Sequence, residues 1–421
     1  MPGLSPGEFS SLIERLGPFE PDPVIAIAWS GGGDSTALLL LARDWARMRG
    51  GRVVALHVDH GLRAESADEA AMLAARARDW GIEFAALRWD GPKPRTGILE
   101  AAREARYALL EAECARRAIL HLLVAHNADD QAETVALRTE RHSGAVGLAG
   151  MSAIVERSQI RILRPVLDAP HETLLATCRA YAAAWIEDPS NANPATARGR
   201  MRAGELPKPD PQAANARRER ERELAHRLAL AVSVAPEGFA RLNLAALGDG
   251  ELAVEALGRI ARAIGGGEYT PRRVRATGVF AALMRGSTAT LGRCRFAPTR
   301  DGRIVVAREE APAPPEIPIP PGEIVAWDGR FALHLRDGPS GLSVGALGDD
   351  GWAALPQPER AAARARIPLI ARAVLPALRD LDGVLAVPHL LYGRNAQALD
   401  TLAKLDVRFR PRLPMAPAEF V

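Results

Sequence analysis

The sequence predicts an α/β protein whose N-terminal half is a parallel sheet covered by helices on both faces. Two observations carry that expectation. Short apolar runs alternate with stretches of helical periodicity over the first two hundred residues, and those runs are nearly continuous in apolar character, as in strands buried on both sides. In addition, a bare, glycine-rich turn leads straight from the first strand into a helix. Ligands of such sheets sit beyond the carboxyl ends of the strands. Two polar loops fall at such ends, after Trp29 and after His126.

Each element follows from local pattern. "VIAIAW" (24–29), "RVVALHV" (52–58), "EFAALRW" (83–89) and "HLLVAH" (121–126) are expected strands. The segments 35–49, 66–80 and 98–117 between them carry apolar residues at three- and four-residue spacing and are expected helices. A fifth strand, "RILRPVL", and a helix around "ETLLATCRAYAAAW" complete the unit. The Pro-, Asn- and Arg-rich stretch "EDPSNANPATARGRMRAGELPKPDPQAAN" reads as a linker. Residues 212–286 look helical, and "ATLGRCRFAPTRDGRIVVARE" looks like a β-hairpin turning at Asp301-Gly302. Beyond the proline-dense "APAPPEIPIPPGE" (311–323), strands in "EIVAWDGRFALHL" precede a helical stretch at 358–379. The expected domains are therefore 1–203, catalytic; 204–310, mainly helical; and 324–421, a small mixed α+β unit.

Composition sets bounds. A chain of 421 residues exceeds one ordinary core, and 48% hydrophobic with 25% charged residues suits a globular protein without a membrane span. The N-terminal "MPGLSPGEFSSLIERLG" has neither a basic segment nor an apolar core, so no signal peptide is expected. Cys114, Cys178 and Cys294 are widely separated, which suits a reducing cytoplasm and argues against a disulfide framework or a cysteine metal site. A net charge of +3 permits a polyanionic partner without requiring one.

Ser30-Gly31-Gly32-Gly33-Asp34-Ser35 sits at the strand–helix junction. Glycines there let main-chain N–H groups converge on an anion, and the helix start adds its positive dipole end. The lysine of a Walker loop is missing, and the dinucleotide pattern G-x-G-x-x-G fails. Asp34 suits Mg²⁺, which favours a carboxylate together with phosphate oxygens, while Ser30 and Ser35 offer hydroxyl donors. After the fourth strand, "AHNADDQAET" places Asp130 and Glu133 three apart on one helical face. Carboxylates gathered beside a phosphate site need a cation between them, either a metal or an amine. His126 is a candidate phosphate donor or proton carrier.

The hexapeptide matches the SGGxDS signature of the PP-loop ATP pyrophosphatases (an adenine nucleotide alpha hydrolase-like fold), which cleave ATP between its α and β phosphates. With "HVDHGLRAESADEA", "EAAREARYALL", "AHNADDQAET", "RHSGAVGLAGM", "RILRPVL" and "AWIEDPSNANP" in order, the chain resembles the tRNA(Ile)-lysidine synthetases, strongly over 24–200 and more weakly beyond. The resemblance implies adenylation of the C2 oxygen of the wobble cytidine in a CAU-anticodon isoleucine tRNA. Displacement of AMP by the side-chain amine of L-lysine follows. It implies ATP on Ser30–Ser35, Mg²⁺ on Asp34 and Asp130, and lysine held by Asp130 and Glu133. Arg103, Arg106 and Arg141 are candidates for phosphate contacts on ATP or tRNA. Arg198, Arg200 and Arg202 fall where the family has an Arg-Asn-x-x-Arg element, but Gly199 replaces its asparagine. His142 stands where a glycine is usual and Trp29 where a smaller residue is common.

Two alternatives stay open from the sequence. One is another PP-loop tRNA-modifying enzyme such as a thiolase, disfavoured because the cysteines are unpaired. The other is a non-catalytic tRNA-binding relative, disfavoured because Asp34, Asp130 and Glu133 are all present. Oligomeric state is open, a homodimer included.

Overall fold

The computed structural model describes residues 1–61, 66–91, 93–94, 96–140, 148–187 and 210–416. The chain divides into two compact units, Met1–Glu221 and Arg222–Pro417.

In the first unit, helix α1 (Pro6–Glu14) precedes alternating strands and helices: β1 (Val24–Ala28), α2 (Gly33–Met48), β2 (Arg52–Asp59), α3 (Ser66–Asp79), β3 (Glu83–Arg88), α4 (Ile98–Arg116), β4 (His121–Leu123) and α5 (Ala128–Glu140). After β5 (Ile154–Glu156) and β6 (Arg161–Leu163), α6 (His171–Ala180) closes the series. The expected strands and helices are all present. What the sequence pattern missed are α1 and β5, the latter a three-residue edge strand that pairs antiparallel to β6 through Ile154↔Leu163. Otherwise the sheet is parallel, in the order β3-β2-β1-β4-β6-β5.

That order locates the site. The chain runs outward from β1 through β2 to β3 and then returns to place β4 on the other side of β1. Loops leaving β1 and β4 therefore diverge to opposite faces and leave a crevice at their carboxyl ends. One face packs Ile25, Ile27, Val53 and Ala55 against Leu38, Leu39 and Trp45 of α2 and Leu73 of α3. The other packs Ala26, Val54, Leu56 and Leu122 against Tyr107, Leu110 and Cys114 of α4. Alternate residues of β1 thus enter two different cores, as a doubly covered strand requires.

The second unit contains helices, among them Gly250–Gly265 and Arg273–Met284, and three antiparallel sheets. The first has the order β7-β8-β11-β10-β9, from β7 (Val232–Val234), β8 (Ala240–Leu242), β9 (Ala289–Leu291), β10 (Cys294–Pro298) and β11 (Ile304–Arg308). The hairpin expected at Asp301-Gly302 joins β10 and β11, with Gly302 at φ 77. β7 and β8, only three residues each, fall inside the stretch that looked helical.

β12 (Ile317–Pro318), β15 (Ser343–Ala346), β16 (Pro376–Asp380), β17 (Gly383–Val387) and β18 (Tyr392–Gly393) form a second sheet. β13 (Ile324–Trp327), β14 (Phe331–Leu335) and β19 (Leu405–Phe409) form a third. The three-residue connection of β13 to β14 places Asp328 at φ 52 and Gly329 at φ 65, both left-handed, and Arg330 N donates to Trp327 O at 3.1 Å. The helical stretch expected at 358–379 ends early. Helices cover Gln357–Arg366 and Leu369–Arg372, and the chain then extends into β16, where Pro376 starts the strand.

Candidate active site at the carboxyl ends of β1 and β4

Trp29 directly follows β1 as a buried anchor, its indole Nε1 donating to Thr36 Oγ1 at 3.0 Å while His57 Nδ1 donates to its carbonyl at 3.1 Å. Between Trp29 and Thr36 the loop has little freedom. Gly31 lies at φ 86, its carbonyl accepts from Ile186 N at 2.9 Å, and a Cβ there would come within 2.7 Å of Ile186 Cδ1. A Cβ on Gly33 would come within 2.3 Å of Leu175 Cδ2. Gly32 differs: a Cβ there meets only Ser30 Oγ at 3.5 Å and Ile186 O at 4.0 Å. Packing thus demands two of the glycines, and the third keeps a surface of bare backbone at the start of α2. The Ser30 and Ser35 hydroxyls lie 3.1 Å apart across this surface, and Ser35 Oγ donates to Gly32 O at 3.0 Å. The result is a cradle shaped for a phosphate at a helix N-terminus.

Asp34 stands in the first turn of α2. Burial raises its pKa above the ordinary carboxylate value; His171, whose Nδ1 donates to Asp34 Oδ1 at 2.7 Å, opposes the rise, and the nearby charge of Asp130 adds to it. Asp130 is held from the β4 side. Asn127 Oδ1 accepts from the amides of Asp129 at 3.0 Å and Asp130 at 3.1 Å, and Asp130 Oδ2 accepts from Asn127 N at 3.1 Å. This reciprocal cap fixes the helix start and the carboxylate together. Asp34 and Asp130, from loops on neighbouring strands, therefore feel each other's charge. One helical turn beyond, Glu133 is 2% exposed.

Two coupled carboxylates beside a phosphate cradle fit Mg²⁺, which takes its remaining ligands from phosphate and water. No cluster of three or more His, Cys, Asp or Glu ligands exists among the described residues, so the protein itself offers no complete cage. His126 follows β4 and accepts at Nδ1 from Arg164 Nε at 3.0 Å. Its ring donor is therefore Nε2–H, which suits a phosphate donor better than a proton carrier.

Arg103 and Arg106 come together on α4, 5.3 and 5.2 Å from the centroid of the Tyr107 ring. Arg141, Arg198, Arg200 and Arg202, with Gly199 and His142, lie outside the described residues. Sequence reasoning missed His171 and Arg164, each contributed by a distant segment. It also missed Asn127, although an Asn three residues before an acid at a helix start is a recognisable cap.

A bare phosphate cradle with paired carboxylates at a topological switch point defines a nucleotide-binding PP-loop protein. Residues 8–208 match the family model described as a PP-loop domain. A tRNA(Ile)-lysidine synthase of Ruegeria pomeroyi is 36% identical over 342 residues, covering 76% of this chain and 79% of that protein. The synthase of Brucella anthropi is 34% identical over 388 residues, covering 82% and 81%. The chain belongs to the tRNA(Ile)-lysidine synthase family. A Bradyrhizobium synthase is 46% identical over 193 residues, covering 45% of this chain and 54% of that protein. The chain thus spans about half the length of the Bradyrhizobium relatives that it matches.

Proposed function

We propose that this chain converts the wobble cytidine of a CAU-anticodon isoleucine tRNA to lysidine, using ATP and L-lysine. The observation that carries the reading is the meeting of Asp34 and Asp130 across the Gly32 cradle, with Glu133 one turn further along α5. ATP would lie with its phosphates on Ser30–Ser35. Mg²⁺ held by Asp34 and Asp130 would neutralise charge on those phosphates.

The cytidine C2 oxygen attacks the α-phosphorus as the α–β bond breaks, releasing pyrophosphate. The lysine ε-amine then forms a C–N bond at C2 as the C–O bond breaks, releasing AMP. The amine is unreactive while protonated, so a carboxylate of the site must accept its proton. Asp130 and Glu133 supply the anionic surroundings that hold an ammonium group and relieve it of that proton. His126 Nε2–H would donate to phosphate. The second unit, with the segment bearing Arg202, would grip the tRNA, and the setting would be cytoplasmic. No helix among the described residues is long and apolar enough to cross a membrane.

A thiolase reading is disfavoured by the thiols themselves. Cys114, Cys178 and Cys294 are all fully buried, and burial pushes Cys114 up to about 12 and Cys178 up to about 11. Thiols held so far from the thiolate form are poor sulfur carriers.

The test is an incubation of the full chain with ATP, Mg²⁺ and radiolabelled lysine, alongside transcripts of CAU-anticodon isoleucine tRNA and methionine tRNA. Label is expected in the isoleucine transcript alone. Label in neither transcript, with RNA still bound, contradicts the reading and favours a binding protein.

A further inference from the structure

Three separate segments of the first unit meet around the Asp34 carboxylate. Two are the loops that leave β1 and β4. The third is the entry to α6, residues 169–171. Pro170, at the N-cap, holds φ at −62, the value its ring imposes, and His171 follows as the first helical residue. His171 Nδ1 donates to Asp34 Oδ1 at 2.7 Å, a length typical of a donor on an ionised carboxylate. Two residues earlier, the carbonyl of Ala169 accepts from the amide of Ala128 at 3.0 Å. Ala128 opens α5, the helix that carries Asp130. Three consecutive residues thus hold Asp34 at one end and the start of the Asp130 helix at the other.

The helix behind this strap is itself fixed to the cradle. Leu174 is fully buried in the core that holds Leu38 and Leu39 of α2, and the Cys178 thiol donates to Gly33 O at 3.2 Å. Thr177 Oγ1 accepts from Leu4 N at 2.9 Å, which ties the same helix to the chain's N-terminal segment. The imidazole is different. Its side chain is 39% exposed and belongs to none of the apolar cores, so packing alone asks for no histidine there.

What asks for one is the carboxylate pair. The charge of Asp130 raises the Asp34 pKa, so the two groups repel each other until a cation joins them. A donor on Oδ1 fixes the plane of the Asp34 carboxylate and spends only one of its acceptor positions. Mg²⁺ needs that order, because it tolerates little departure from octahedral geometry at about 2.0–2.1 Å.

We propose that His171 is a positioning residue for the magnesium-binding carboxylates, orienting Asp34 while Ala169 sets its spacing from Asp130. The role rests on the reading of Asp34 and Asp130 as magnesium ligands and deepens it. His171 acts through Asp34, in the way that hydrogen-bond partners of metal ligands set ligand direction and metal affinity.

The experiment uses the full chain and its His171→Leu and His171→Asn variants with α,β-methylene-ATP, which resists cleavage between the α and β phosphates. Calorimetry measures the affinity for this analogue with saturating Mg²⁺ and again in EDTA. The ratio of the two affinities measures what the cation adds. His171→Leu is expected to lower that ratio about 10-fold or more, through the affinity with Mg²⁺ and not through that in EDTA. His171→Asn places an amide N–H where Nδ1 stood and should recover most of the loss. Tm should change by less than about 2 °C in both variants, since the side chain is half-exposed. An unchanged ratio in His171→Leu would overturn the proposal. Equal losses in both variants, accompanied by a lower Tm, would also overturn it and make His171 a packing residue. A wild-type ratio near one would remove the magnesium assignment and this role with it. Neither RNA nor lysine enters the titration, so failure of the lysidine reading alone would leave its outcome unaltered.

Discussion

Asp34 and Asp328 are both carboxylates held in place by their neighbours, and they are held for opposite ends. Asp34 stands with its side chain 28% exposed, one histidine beside it and a second carboxylate close enough to raise its pKa. Asp328, in the second unit, is 2% exposed and lies between two buried guanidinium groups, Arg330 Nε at 2.7 Å and Arg308 Nε at 3.1 Å. Arg308 further donates to Pro312 O at 2.9 Å and Arg330 to Val374 O at 3.2 Å. One arrangement leaves negative charge under-compensated at a loop rim, where a cation or substrate can complete it. The other sets its carboxylate between two buried guanidinium groups, and these ion pairs tie β11 to the β13–β14 turn. Compensation, more than burial alone, separates a site from a strut.

The comparison breaks most sharply at Asp34. Asp34→Ala is expected to lower AMP formation at least about 100-fold while tRNA binding survives. Retained turnover would remove Asp34 from the magnesium assignment. Asp328→Asn is expected to act the other way, costing about 3–5 kcal/mol of stability because two guanidinium groups lose their counter-charge inside the protein. Denaturant unfolding measures it, and a loss below about 1 kcal/mol would deny the strut.

Gly32→Ala sharpens the reading of the cradle. Gly32 has an extended backbone, φ −70 and ψ 163, with ordinary clearance for a Cβ, so stability should change by less than about 0.5 kcal/mol. KM for ATP should nevertheless rise about tenfold, because the added methyl enters the phosphate surface. Equal losses in stability and ATP affinity would make Gly32 a packing residue like Gly33.

The smallest effect is one of pH. Burial raises the Asp34 pKa above its ordinary 3.8, so the folded chain holds that proton more tightly than the unfolded chain. Ionisation of Asp34 therefore costs stability: nothing below pH 3.8, and the full amount once pH passes the raised folded value. In magnesium-free buffer Asp34→Asn should raise Tm by about 1–3 °C at pH 7. That gain should vanish in acid. A fall in Tm at pH 7 would show that the His171 hydrogen bond outweighs burial.

What was legible in the sequence is what depends on neighbours in the chain. Apolar runs such as Val24–Ala28, the helix start at Gly33 and the turn at Asp301-Gly302 follow from local pattern and left-handed backbone. The motif residues Ser30–Ser35, Asp130 and Glu133 could be read because their spacing on one loop or one helical face is itself the signal. His171 could not, since it reaches Asp34 across 137 positions of sequence. Arg164 reaches His126 in the same way, through the sheet order and no periodicity. The three-residue strands β5, β7 and β8 are too short for alternation to declare itself, and their pairing comes from tertiary contact.

The central claim is that the loop at Gly32 directs cleavage between the α and β phosphates of ATP to the service of an RNA base. Chromatography of the nucleotide products, with lysine incorporation counted in the same tubes, tests it most directly. The account predicts one AMP and one pyrophosphate for each lysine joined to the isoleucine transcript. ADP and inorganic phosphate as products, or AMP released without any lysine joined, would contradict it.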